Sequence, residues 1–276
     1  MLKRTLTGAL LTLIVLAAFF LRQLVDYRFF DIVILTVALL ASIEFNTALK
    51  DRTSKAQKVL SVIFTVAVFI VAVFFKKSLF TFVVVYVSCA LIYSSLFEHS
   101  KSVDKMAYFA FSLFYPTIPT LFMSLVNQMG EFSLFALVIM LVTSSSTDIF
   151  AYCIGSKLKG KKLCEKISPN KTVSGAIGGF VGGTLSGVIV YVIFQKCGAS
   201  PFVSASPLSA LLFIIISSML FSIVTQVGDL FESSVKRGLN IKDMGGLLPG
   251  HGGMLDRIDG LMFNAVAVYL CYALLV

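Results

Sequence analysis

The sequence predicts an all-α, polytopic integral membrane protein with about nine transmembrane helices. Hydrophobic residues make up 58% of the 276 positions and charged residues only 13%, for a mean hydropathy of +0.94. The apolar residues gather in runs long enough to cross a bilayer, whereas half-buried strands would show short alternating runs. No polar interval runs much beyond about twenty residues, so no separate soluble domain is expected.

In chain order the spans fall near 5–21, 27–49, 59–75, 78–97, 106–126, 132–154, 175–195, 208–228 and 258–276. The first follows Lys3 and Arg4, as a signal peptide would, but Arg22-Gln23-Leu24 offers no small-residue cleavage site. It reads as a retained helix. The first and third are short for a hydrocarbon core that takes about 20 residues, though about 17 suffice. The second carries Asp31 and Glu44, each read as an interhelical polar contact. Pro116 and Pro119 predict a kink or break in the fifth. The seventh presents Gly175, Gly178, Gly179, Gly182, Gly183 and Gly187, a small-residue face suited to close helix packing. Residues 1–130 therefore read as a helical scaffold and 131–276 as the region that carries chemistry.

The net charge of +9 does not require nucleic acid, because the basic residues sit in short loops between spans. With the N-terminus in the cytoplasm, 18 of the 23 Lys and Arg fall on that side, leaving Arg22, Arg28, Lys76, Lys77 and Lys196 outside. This bias predicts a cytoplasmic N-terminus and an outward C-terminus, with the loops at 155–174 and 230–257 facing cytoplasm. Five scattered cysteines without a CxxC pair indicate neither zinc nor a disulfide framework. His99 belongs to a solvated loop.

The chemistry concentrates between Ser233 and Asp259, which hold Lys236, Arg237, Lys242, Asp243, His251, Asp256, Arg257 and Asp259. Charge of both signs beside a bilayer is costly and points to function. Asp256 and Asp259 are spaced i, i+3, one helical turn apart on one face. Two hard oxygen ligands suit Mg²⁺ better than zinc. Five glycines, among them Gly252 and Gly253, let backbone amides approach a phosphate closely. If the eighth helix runs on past the membrane, Asp229, Glu232, Ser233 and Lys236 align on one face. Asp229 then offers a third carboxylate to a metal, or the segment is a helix end with an ordinary Glu–Lys pair. Asp148 lies inside the sixth span and needs an interior hydrogen bond or a wet cavity. After it comes a lysine-rich loop ending in Ser168-Pro169-Asn170-Lys171-Thr172, which enters the glycine-rich helix. Its amides and Lys171 suit a polyphosphate at a helix N-terminus, although loop lysines also satisfy the topology rule. His251 either donates to a phosphate or serves a turn.

The run Ser233…Lys236-Arg237…Lys242-Asp243…Leu248-Pro249…His251-Gly252-Gly253…Asp256-Arg257-Ile258-Asp259 resembles, without departure, the signature of the phosphatidate cytidylyltransferases, or CDP-diacylglycerol synthases. Asp148-x-x-Ala151-Tyr152-x-x-Gly155 and Ser168-Pro-x-Lys171-Thr172-x-x-Gly175 resemble two further motifs, with Ser174 where many members carry Glu. The resemblance implies transfer of a cytidylyl group from CTP to phosphatidic acid, in the inner (cytoplasmic) membrane of the cell. It implies Mg²⁺ on Asp229, Asp256 and Asp259, with Lys236 and Arg237 also catalytic. Substrate contacts would come from Asp148, Ser168, Asn170, Lys171, Thr172, Lys242, Asp243, His251, Gly252, Gly253 and Arg257. It also implies K⁺ as a second cation and a homodimer, with no nucleic-acid partner. The rival readings are a CDP-alcohol phosphotransferase-like enzyme, whose longer aspartate pattern is absent, and an ion-coupled transporter using Asp148 and Asp229.

Overall fold

A computed structural model describes residues 2–97, 103–202, 206–250 and 252–273. His99 and His251 lie outside the described residues. The chain is almost wholly helical, with ten helices among the described residues: α1 (Leu2–Leu24), α2 (Arg28–Ala48), α3 (Lys55–Phe74), α4 (Leu79–Phe97), α5 (Val103–Phe114), α6 (Thr117–Asn127), α7 (Ser133–Leu158), α8 (Val173–Lys196), α9 (Pro207–Gly238) and α10 (Leu255–Ala273). Among the described residues eight segments are long and apolar enough to cross a membrane, α5 and α6 counting as one. The expected ninth span corresponds to α10, a 19-residue helix whose first turns hold Asp256, Arg257 and Asp259. Those charges keep it out of the apolar set, and residues 274–276 lie outside the described residues.

Residues 162–172 add what periodicity did not predict. Strands β1 (Lys162–Cys164) and β2 (Ser168–Thr172) pair antiparallel, Lys162 opposite Thr172 and Cys164 opposite Ser168. The strands are three and five residues long, too short to show a period of two.

Local chemistry explains several helix ends. Ser54 and Gln57 form a reciprocal capping box that starts α3. Pro116 falls between α5 and α6, where its missing N–H and its ring interrupt the helix as expected. Ser206 caps α9 ahead of Pro207 at its first position. That helix runs ten residues past the expected membrane exit at 228, because the drop in hydropathy marks the bilayer edge and not a helix breaker.

The chain forms two compact units. The first comprises residues 1–125 and 241–257. Its core is Ala38, Ala41, Phe45, Phe64, Phe69, Phe109 and Leu113, all at most 2% exposed. A polar seam runs through it: Asn46 Nδ2 donates to the Ser42 carbonyl at 2.9 Å, and the Thr65 and Thr117 hydroxyls meet at 2.8 Å. Asp31 is an interhelical contact as expected, accepting from Ser124 Oγ at 2.7 Å. Residues 241–257, adjacent in sequence to the chemistry of the C-terminal half, group with the N-terminal helices. Contacts such as Thr7 Oγ1 donating to the Pro249 carbonyl at 3.3 Å tie them there.

The second unit comprises residues 126–240 and 258–276. Here α7, α8 and α9 pack closely, with the glycine face of α8 against α7. A Cβ on Gly179 would stand 2.8 Å from the Thr147 carbonyl oxygen, so the two backbones approach only because no side chain intervenes. Asn264 of α10 donates from Nδ2 to the Met140 carbonyl at 3.0 Å and to Thr143 Oγ1 at 3.1 Å.

Candidate active site

The second unit encloses a cavity of about 470 Å³, within the range for small-ligand sites. It is lined by Asp148 and Tyr152 of α7, Asn170, Lys171 and Thr172 of β2, and Gln226 and Asp229 of α9. Several predicted residues from separate motifs therefore meet around one space. The folding reasons are local. Thr172 caps α8, its Oγ1 accepting from Gly175 N at 3.1 Å, which sets β2 against the helix start. Gly155 and Gly175 let α7 and α8 touch there, since a Cβ on Gly175 would stand 2.8 Å from the Ala151 carbonyl oxygen. Ser174, the departure noted in the sequence, donates from Oγ to the Lys159 carbonyl and closes the loop before the hairpin. Asp148 is exposed and lines the cavity.

Lys171 Nζ lies 2.6 Å from Asp229 Oδ2, so a predicted phosphate contact and a predicted metal ligand neutralise one another. Both side chains remain about 30% exposed, at 26% and 31%. Ser168 and Asn170 share the strand with Lys171, Asn170 exposed and Ser168 partly so. Arg237 Nε donates to the Ile167 carbonyl at 3.2 Å, holding the hairpin turn to the end of α9.

The continued α9 places Glu232 one turn below Asp229, fully buried. Its Oε2 pairs with Lys236 Nζ at 2.9 Å. Its Oε1 is buried without a hydrogen-bond donor, and the neighbouring group there is the carboxyl of Asp259. Asp259 Oδ1 accepts from the Gly260 amide at 2.8 Å. Two neighbouring carboxyl groups, Glu232 fully buried and Asp259 partly so, are eased by a proton or a cation shared between them. Carboxylate oxygens with no Cys or His suit a hard divalent ion. Among the described residues no three of His, Cys, Asp and Glu converge as a complete metal cage. A cation held here would complete its shell with water and substrate oxygens, as Mg²⁺ commonly does. Sequence reasoning aligned Glu232 with Asp229 and Lys236 but did not select it as a site residue. Its signal was the i+3 spacing from Asp229, readable only once the helix is known to continue.

The remaining signature residues belong to the first unit. Gly250 and Gly252, at φ +79° and +82°, form a tight turn in which Leu248 N donates to the Gly252 carbonyl at 2.9 Å. Asp256 gathers the flanks of the loop: its Oδ2 accepts from Met244 N at 3.0 Å and Gly253 N at 2.9 Å. The Gly253 amide expected at a phosphate is thus engaged by Asp256. Lys242, Asp243 and Arg257 are exposed. Asp256 and Asp259 lie on successive turns of α10, as their spacing predicts.

Comparison with known proteins bears on this arrangement. The profile described as "Cytidylyltransferase family" matches residues 2–275. A protein of Brucella abortus (strain 2308) named phosphatidate cytidylyltransferase is 44% identical over 161 residues, 58% of this chain and 55% of that protein. One of the same name from Thermotoga maritima is 33% identical over 180 residues, 64% of this chain and 63% of that one. A third, from Rickettsia felis, is 29% identical over 220 residues, 80% and 93% of the two chains. The match thus spans little more than half the length of the Brucella relatives.

Proposed function

Because the chain belongs to the cytidylyltransferase family, we propose that it transfers the cytidylyl group of CTP to phosphatidic acid, releasing pyrophosphate and leaving CDP-diacylglycerol. The observation that carries this is the cavity where Asp148, Lys171 and Asp229 meet, with the buried Glu232 and partly buried Asp259 carboxyls on the adjoining helices. A lipid phosphate oxygen forms a bond to the α-phosphorus of CTP as the bond from that phosphorus to the β-phosphate oxygen breaks. Such a nucleophile is already anionic and needs no general base. The task of the protein is to align the reactants and neutralise their charge.

In this reading Lys171, Arg237 and Lys242 hold phosphates, Lys236 adds positive charge from its pair with Glu232, and Asp148, Ser168, Asn170, Thr172, Asp243, Gly252 and Arg257 serve the substrates, the Gly253 amide being taken by Asp256. Asp229, Asp256 and Asp259 would hold Mg²⁺, and Glu232 neighbours Asp259. A divalent ion there supplies charge neutralisation and polarisation at the phosphoryl oxygens. K⁺ as a further cation and a homodimer belong to the same reading. So do a cytoplasmic N-terminus and site in a bacterial inner membrane, which bring both motif loops to the compartment that holds CTP.

The test is release of pyrophosphate from CTP by the purified protein in lipid nanodiscs. Release should depend on added phosphatidic acid. Double-reciprocal plots over the two substrates should intersect, since the site offers no activated nucleophile for a covalent intermediate. Parallel lines, or exchange of labelled pyrophosphate into CTP without lipid, would overturn direct transfer. No lipid-dependent release would overturn the reading.

A further inference from the structure

Glu44 sits one turn from the end of α2, a helix that otherwise spans an apolar environment. A carboxylate there is costly and needs a partner. Glu44 is only 9% exposed, and what it touches lies in the glycine loop of the same unit, some two hundred residues onward. Its Oε2 accepts from the amide of Leu255, the first residue of α10, at 3.0 Å. The carboxylate also occupies the space beside two glycines. A Cβ on Gly253 would stand 2.6 Å from Glu44 Oε2, and one on Gly245 2.5 Å from Oε1. Neither glycine has a positive φ, so the backbone does not demand glycine at either position; the room taken by Glu44 does.

Asp256 grips the same loop through the amides of Met244 and Gly253. Gly253 therefore lies between two carboxylates, one using its amide and the other its missing side chain. Glu44 Oε1 is buried without a hydrogen-bond partner. A leucine of similar volume would fill the space without that penalty, so simple packing does not account for a glutamate. An acceptor at that length is what the amide of Leu255 requires.

We propose that Glu44 is a positioning residue for the cytidylyl transfer, fixing the backbone at Gly245 and Gly253 and the first turn of α10 so that Asp256 is presented in one orientation. This rests on the proposed reaction, in which Asp256 serves the site. Glu44 acts through Leu255 and Gly253 and touches no substrate.

The test compares Glu44→Ala, Glu44→Gln, Gly253→Ala and the double variant Glu44→Ala/Gly253→Ala in nanodiscs, by kinetics and by amide hydrogen exchange. In Glu44→Ala, kcat should fall by about tenfold or more, while KM for both substrates stays within about threefold. Exchange across 244–256 should quicken about tenfold, with α3 and α4 unchanged. Glu44→Gln keeps an oxygen acceptor at the same reach and should retain kcat within about threefold, together with loop protection. Gly253→Ala should cost about tenfold in the parent and under about twofold in the Glu44→Ala background, since the obstruction is then gone.

Glu44→Gln as damaging as Glu44→Ala would overturn positioning in favour of a need for the charge itself. So would a loss confined to KM, or an equal Gly253→Ala effect in both backgrounds. If Glu44→Ala fails to fold, Glu44→Gln and Gly253→Ala decide. If the parent protein shows no lipid-dependent release, the proposed reaction fails, and the exchange measurements still decide whether Glu44 fixes the loop.

Discussion

Two lysine–carboxylate pairs of the second unit differ in burial, and that difference predicts opposite consequences for the same substitution. Lys236 and Glu232 meet at 2.9 Å with side-chain exposures of 12% and 0%, and Lys171 and Asp229 at 2.6 Å with 26% and 31%. Lys236→Met keeps the aliphatic stem and strands a fully buried carboxylate beside Asp259. Removing one partner of a buried pair costs about 3–5 kcal/mol. At roughly 2–4 °C per kcal/mol for a chain of this order of size, the apparent melting temperature should drop by about 6–20 °C. Lys171→Met removes a partly exposed pair worth about 0–1 kcal/mol and should shift it by no more than about 4 °C. The assay is the fraction of detergent-solubilised protein that stays monodisperse by size exclusion after a temperature series. Glu232→Gln added to Lys236→Met should recover at least about half of the loss, because neither charge is then stranded. Equal melting temperatures for the two lysine variants would refute the argument from burial. So would a double variant no better than Lys236→Met.

Three further outcomes follow from the same geometry. Asp259→Asn keeps shape but removes charge beside Glu232, and turnover should fall by about a hundredfold or more at saturating substrates; near-normal turnover at ordinary Mg²⁺ would remove Asp259 from the metal site. Gly175→Ala puts a Cβ 2.8 Å from a backbone oxygen of α7 and should cost about 1–3 kcal/mol with raised KM for CTP, whereas Gly238→Ala, with open space around it, should do neither; equal melting temperatures would contradict the close approach of α7 and α8. A single cysteine at Lys162, in a variant lacking the five native cysteines, should resist impermeant thiol reagents in intact cells and react once they are opened; labelling from outside would reverse the topology.

The spans were legible because hydropathy reports the bilayer directly, and each expected run is helical to within a few residues of its ends, the fifth as two helices and the eighth running on past its expected exit. What hydropathy could not report is where a helix ends in water. The expected exit at 228 left Asp229 to Lys236 conditionally helical, and Glu232 became a site residue only when α9 proved continuous to Gly238. Motif spacing and the family resemblance singled out Lys171 and Asp229 as chemical residues but could not show that they pair, since they are 58 positions apart and on a strand and a helix. The hairpin escaped because its strands are too short for a period. Glu44, like Asp31, makes the interhelical contact expected of it, but to a backbone amide, that of Leu255 at the start of α10. A carboxylate in an apolar run announces that a partner exists, and folding alone says which.

The burial of the two pairs also bears on how the proposed reaction manages charge. CTP and phosphatidic acid bring several negative charges to a region that already holds Asp148, Asp229, Glu232 and Asp259. Lys236 sits almost out of solvent against Glu232, so in water-poor surroundings it has little to gain by leaving. In the proposed reaction it acts as a fixed neutraliser, holding one carboxylate while its position in the last turns of α9 keeps positive potential near incoming phosphates. Lys171 is different. Its pair with Asp229 is half exposed and lines the cavity, so solvent already screens it and a change of partner costs little. A triphosphate entering the cavity offers Lys171 a stronger, doubly ionic contact and leaves Asp229 available to a cation that arrives with the nucleotide. One pair thus preserves the site between turnovers while the other exchanges partners during them. This is why the same Lys→Met change should register as instability at 236 and as weakened substrate binding at 171.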